Sequence, residues 1–120
     1  MVDITDDTDW LKTKEKQMKE LPIPKRVKVG SSWYSVDVVE TMQRRGHMGG
    51  INYNNRKIEI GRKSNVSQRN FKLGEMKDSF WHEMVHAILR DMGEDTLNEN
   101  EKFVTAFANR LTKAIDSARF

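Results

Sequence analysis

The apolar residues of this chain change their period near residue 70, and that change decides which fold classes are open to it. Upstream, Lys25 to Val29 and Trp33 to Val39 alternate in polarity, are rich in Val, Trp and Tyr, and are separated by Gly30-Ser31-Ser32, the pattern of a hairpin. Ile51-Asn52-Tyr53 and Lys57-Ile58-Glu59-Ile60, joined by a turn at Asn54-Asn55 and preceded by a loop carrying Gly46, Gly49 and Gly50, read as a second hairpin. Downstream the spacing becomes helical. Met76, Phe80, Met84 and Ile88 form one i, i+4 row, Trp81, Val85, Leu89 and Met92 an adjacent one, and Gly93 stops the helix.

A last helix is expected from near Asn98, after the polar loop Glu94-Asp95-Thr96, burying Phe103, Val104, Phe107, Ala108, Leu111 and Ile115. Ahead of the strands, Thr8 is placed to cap a helix running to about Glu20, with Leu21-Pro22-Ile23-Pro24 as its stop. Helix, four strands and two helices make an α+β fold. The 120 residues suffice for one modest core, so a single domain over 1-120 is expected. It divides into a flanking helix (1-21), a sheet (25-61), a central helix (70-92) and a C-terminal helix (98-118).

Composition closes several routes. There is no cysteine, which removes disulfides, thiolate metal sites and a cysteine nucleophile, so any metal has to be held by His, Asp or Glu. The longest uncharged stretch, Gly46 to Asn55, contains three glycines and cannot span a bilayer, and Met1-Val2-Asp3-Ile4 is acidic where a signal peptide would be basic. A cytoplasmic location is the expectation. The net charge is only +3, but Arg44 to Lys77 carries nine cations against Glu59 and Glu75, a local net of +7. That segment could attract a nucleic acid; solvated charge, neutralised by the acidic stretch Asp78 to Glu101, is the preferred reading.

Inside the central helix lies His82-Glu83-Met84-Val85-His86, the H-E-x-x-H spacing. Histidines at i and i+4 lie one above the other on a helical face, so two neutral imidazoles can address one cation without straining the backbone. Glu83 follows at a rotation of about 100°, off the ligand positions but within reach of a water at the ion, where a general base belongs. Paired histidines with only a packing role are the alternative; the spacing in its helical context favours the metal.

Two histidines leave a zinc site one protein ligand short. No histidine follows His86, and Leu89 and Met92 occupy the positions three and six residues beyond it, so the third ligand has to be a downstream carboxylate. Glu101 is preferred, because Glu99 stands three residues after Thr96 and could be its capping-box partner; Glu99 is the second choice. His47 reads as a solvated loop residue, and Tyr34 and Tyr53 as strand residues packing their rings rather than oxyanion donors.

Three segments carry a resemblance to a known family. Gly50 to Ile60 resembles the strand pair, Phe80 to Ile88 the active-site helix and Glu101 to Ala108 the following Glu-containing helix of small phage- and prophage-encoded zincins similar to the ImmA/IrrE metallopeptidase group. About the last 70 residues are covered, with the specificity in the metal motif. The chain departs from the family pattern at Thr105, where an Asn or Asp commonly stands four residues after the ligand glutamate. The resemblance implies a minimal zincin-like fold, with a small twisted four-stranded sheet whose edge pairs with an extended peptide.

It further implies a hydrolase of the host-cell cytoplasm if phage encoded: a zinc metallopeptidase with His82, His86 and Glu101 on Zn2+, Glu83 as general base, and a peptide or protein substrate. A non-proteolytic zinc-containing module, engaging a partner protein or a nucleic acid through the basic 44-77 segment, is the other function considered.

Overall fold

A computed structural model describes residues 23–120 of the chain. The helix expected over 1-21 lies outside the described residues. Four strands, β1 (Arg26–Val29), β2 (Ser32–Val39), β3 (Gly49–Asn52) and β4 (Lys57–Gly61), precede three helices, α1 (Leu73–Met92), α2 (Asp95–Glu99) and α3 (Glu101–Ser117). The fold is α+β with a mixed sheet.

Both hairpins form. β1 pairs antiparallel with β2 across the Gly30 turn, and β3 pairs antiparallel with β4. They join through a parallel pairing of β2 with β4, Val36 opposite Ile58 and Val38 opposite Ile60, which gives the order β1-β2-β4-β3. The composition of the strands explains this order. Ile58 and Ile60 of β4 are fully enclosed, at 0% exposure, as suits an interior strand, whereas β3 begins with two glycines, has no side chains there to fill a core, and lies at the edge.

α1 is the middle layer. One of its sides, Phe80, Met84 and Ala87, packs on Val29, Tyr34, Val36, Ile58 and Ile60 of the sheet. Another, Val85 and Leu89, packs on Val104 and Ala108 of α3. Two buried sides leave a third for polar residues, and His82 and His86 occupy it. The rows expected to be buried are only partly so: Ile88 and Met92 are exposed, because they lie beyond the reach of both neighbouring layers. In α3, Val104, Ala108 and Thr112 are buried, while Phe107 and Ile115 are exposed, since α3 rests on one neighbour and shows its flanks to solvent.

The helix boundaries differ from the sequence reading at both ends of the α1–α3 region. Residues 70–72 precede α1: Asn70 bridges to Lys63, and the Lys72 N–H donates to Glu75 Oε1 at 3.0 Å, one half of a capping box. Gly93, at φ 75°, ends α1 in the left-handed conformation that glycine adopts without cost. The segment read as a polar loop and helix start is instead the short helix α2. Thr96 and Glu99 both lie within it, and its N-cap, Glu94, makes no side-chain cap bond, so the Thr96–Glu99 capping box does not form. α3 is capped by Asn100, whose Oδ1 accepts from the Phe103 N–H at 3.0 Å.

Candidate metal centre

α1 projects three functional side chains at successive angles. With about 100° between residues, the half-buried His82 and the buried His86 share the side of the helix that meets Glu101, and Glu83 turns from them toward the sheet. Asn100 fixes where α3 starts and so places Glu101 in its first turn, where the helix dipole favours a carboxylate. Glu101 spans both imidazoles: its Oε2 lies 3.1 Å from His82 Nε2 and its Oε1 2.9 Å from His86 Nε2. One ligand atom from each of the three residues falls within 4.8 Å of the others. Glu99 is exposed and lies outside this cluster.

The donor set suits a divalent ion of the zinc type, with two imidazole nitrogens, one carboxylate oxygen and room for water in a fourth position. The hydrogen bonds support the fit. His86 Nδ1 lies 2.6 Å from Asn98 Oδ1, which uses that nitrogen as a donor and leaves Nε2 to face Glu101. Asn98 Nδ2 in turn donates to Tyr53 Oη at 3.2 Å, and the Arg90 guanidinium stacks 4.3 Å from the centre of the Tyr53 ring.

The electrostatics point the same way. Burial pushes the His82 imidazole below its ordinary value, against the opposing pull of Glu101, so the neutral form that binds cations is favoured. Glu83 is buried and its pKa is pushed up to about 7, first by desolvation, with His86 opposing and Glu101 adding to the rise. Its Oε2 is the one enclosed side-chain polar atom without a hydrogen-bond partner among the described residues. A buried carboxyl oxygen left without a partner is costly unless something in the working state uses it. Burial raises the Tyr53 phenol above its ordinary value, against the opposing effect of the Asn98 hydrogen bond.

The cluster opens into a cleft of about 1360 Å³, bounded on one side by α1 and on the other by β3 and the loop from Thr41 to Met48. Asn65 holds that loop in place, donating from Nδ2 to the carbonyls of Met42 and Arg44 at 2.7 and 2.9 Å and accepting from the Gly46 N–H at 2.9 Å. His47 is part of this wall, separate from the His82–His86–Glu101 cluster. Neither tyrosine lines the cleft. Tyr34 is in the core between sheet and helix, and Tyr53 stands behind His86, in contact with Asn98.

The basic segment is partly neutralised by acids of the same chain. Lys57 pairs with Asp37 at 3.0 Å, Lys63 with Glu40 at 2.9 Å, Arg69 with Glu75 at 3.0 Å, and Lys77 with Asp116. Four of the nine cations are thus engaged, but none of these partners belongs to the stretch Asp78 to Glu101 that was expected to neutralise them: the acids that pair with the segment come from β2, from the start of α1, from the residue after β2 and from the end of α3. Among the described residues, no helix is long and apolar enough to cross a membrane.

No protein-family model, curated protein or solved structure matches the chain, so the functional reading rests on the geometry of this site.

Proposed function

We propose that the protein is a zinc-dependent metallopeptidase of the zincin type, with His82, His86 and Glu101 as metal ligands and Glu83 as general base. One observation carries the reading: two imidazoles and a carboxylate from different helices converge on one point, beside a buried, unpartnered glutamate that opens on the same cleft. Zinc at that point would supply Lewis acidity, activating water and polarising a substrate carbonyl.

The chain's own groups account for the rest. Glu83, with its pKa near neutrality, is matched to taking a proton from the attacking water and returning it to the leaving amine. Among the described residues β3 is an edge strand along the cleft, and such an edge suits an extended peptide lying antiparallel or parallel to it. The strand runs beside the proposed base, for a Cβ at Gly49 would be in contact with Glu83 Cγ at 3.5 Å.

The test combines metal content with turnover. Purified protein is expected to hold zinc, His86→Ala and Glu101→Ala to lose it, and Glu83→Gln to keep it while losing hydrolysis of a denatured protein substrate. Equal zinc in all four proteins would refute the ligand set, and hydrolysis by Glu83→Gln would remove Glu83 from the reaction.

A further inference from the structure

His86 differs from His82 in what holds it from behind. Its Nδ1 meets Asn98 Oδ1 at 2.6 Å, a short contact in a partly buried setting, and Asn98 is held in turn by Tyr53, which lies 45 positions away in sequence just past the end of β3. Three elements are therefore needed to build one hydrogen-bond chain: α1 supplies His86, the short helix α2 supplies Asn98, and the β3–β4 turn supplies Tyr53. Arg90, one helical turn after His86, packs its guanidinium on the Tyr53 ring and closes the group. Asn98 has no part in capping either helix: Asn100 caps α3, and Glu94 occupies the N-cap of α2.

The geometry points to Asn98 as a positioning residue for the metal ligand His86, holding the imidazole in the form protonated at Nδ1, with its Nε2 lone pair directed at the cation, and itself held in register by Tyr53. This rests on the metal reading of the site. An amide oxygen facing Nδ1 requires an N–H there. The reverse amide orientation would set an N–H against Nδ1 and leave the proton on Nε2, closing that nitrogen to a cation. The Tyr53 hydroxyl accepts from Asn98 Nδ2 in the arrangement found, which gives the amide nitrogen a partner and leaves Oδ1 turned to the histidine. Partners of this kind behind a ligating histidine typically contribute about 10- to 100-fold in metal affinity.

The experiment measures Zn2+ affinity by chelator competition in the full chain for wild type, Asn98→Ala, Asn98→Asp, Tyr53→Phe and His86→Ala. The thermal midpoint of each metal-free protein is recorded alongside. The expected result is a loss of about 10- to 100-fold for Asn98→Ala, recovery of most of it in Asn98→Asp, which restores an acceptor for Nδ1, and a smaller loss for Tyr53→Phe. The metal-free midpoints of Asn98→Ala and Asn98→Asp should be alike, so that a general loss of folding does not account for the difference between them.

Nitrogen NMR of the zinc-loaded wild type should show the His86 proton on Nδ1 and the metal on Nε2. The proposal is overturned if Asn98→Ala binds zinc within about twofold of wild type while His86→Ala does not bind, if Asn98→Asp recovers nothing, or if His86 ligates through Nδ1. If His86→Ala binds zinc as wild type does, the metal reading itself fails, and the role of Asn98 falls with it.

Discussion

Gly49 of the edge strand faces Glu83 of the central helix: a Cβ added at residue 49 would meet Glu83 Cγ at an ordinary contact distance of 3.5 Å and the Glu59 carbonyl oxygen at a tighter 3.2 Å. Gly49→Ala should be a mild perturbation and Gly49→Val a severe one, because the two γ-methyls have the Glu59 backbone on one side and the Glu83 side chain on the other. The valine variant is expected to cost about 1–3 kcal/mol in denaturant unfolding, the usual range for overpacking. Zinc binding should persist, since none of the three proposed ligands is touched, while peptide hydrolysis falls by at least about tenfold as Glu83 is displaced. Wild-type stability and turnover in Gly49→Val would contradict the packing described.

A second close approach secures α1 to the β1–β2 hairpin. Gly30 has φ 59°, and a Cβ there would collide with the Asp91 carboxylate. Gly30→Ala therefore meets two separate penalties, a left-handed backbone worth about 1 kcal/mol and a steric clash. They can be separated by a double-mutant cycle with Asp91→Ala. The double variant should regain the steric part and keep the backbone part; because the clash is with the end of an exposed side chain, the coupling between the two sites should be about 0.5 kcal/mol. A purely additive result would show that the carboxylate yields freely.

How much of this was legible in the sequence depends on how local each feature is. The His82–His86 pair needs only one helix with a known period, and the two apolar rows of α1 supplied it. Elimination leads only to a downstream carboxylate, and the ground for ranking Glu101 ahead of Glu99 is physically wrong: the Thr96 capping box does not exist, because both Thr96 and Glu99 fall inside the short helix α2. Asn98, which the sequence marks only as the neighbourhood where the last helix starts, contacts His86 twelve positions back and Tyr53 forty-five positions back. Neither contact has a periodic signature. The parallel pairing of β2 with β4 was likewise out of reach, since hairpin turns specify only antiparallel neighbours and strand order is settled by which strand has the side chains to fill the interior.

Asn100 makes a test of how Glu101 is positioned. Its Oδ1 caps α3 through the Phe103 N–H, one residue before the glutamate that bridges the two histidines. Asn100→Ala should cost about 1 kcal/mol of stability, the usual effect of losing an N-cap. The same change is expected to lower zinc affinity, because a frayed first turn spreads Glu101 over more conformations, while Asn100→Asp and Asn100→Ser should restore both properties. Chelator competition and urea unfolding of the three variants would check this, and unchanged zinc affinity in Asn100→Ala would show that Glu101 is held by the histidines or the ion alone.

The start of α1 predicts a dependence of stability on acid. Glu75 has its pKa lowered to about 2, first by the Arg69 guanidinium, which meets both carboxylate oxygens at 3.0 Å, and then by the Lys72 N–H. A carboxyl whose folded-state pKa lies below its unfolded value of 4.5 adds stability that is complete above the unfolded value and disappears as pH falls toward the folded one. Arg69 and Glu75 are both open to solvent, so screening keeps the contribution small. Comparing urea unfolding of wild type with Glu75→Gln should therefore show a gap at about pH 6 that narrows steadily between pH 4.5 and about pH 2, and that shrinks when salt is added at the higher pH. Arg69→Ala should abolish most of the gap, leaving the part due to the Lys72 N–H. A gap that widens on acidification would have the wrong sign for a carboxylate held by a guanidinium, and would mean that Arg69 and Glu75 do not pair in solution.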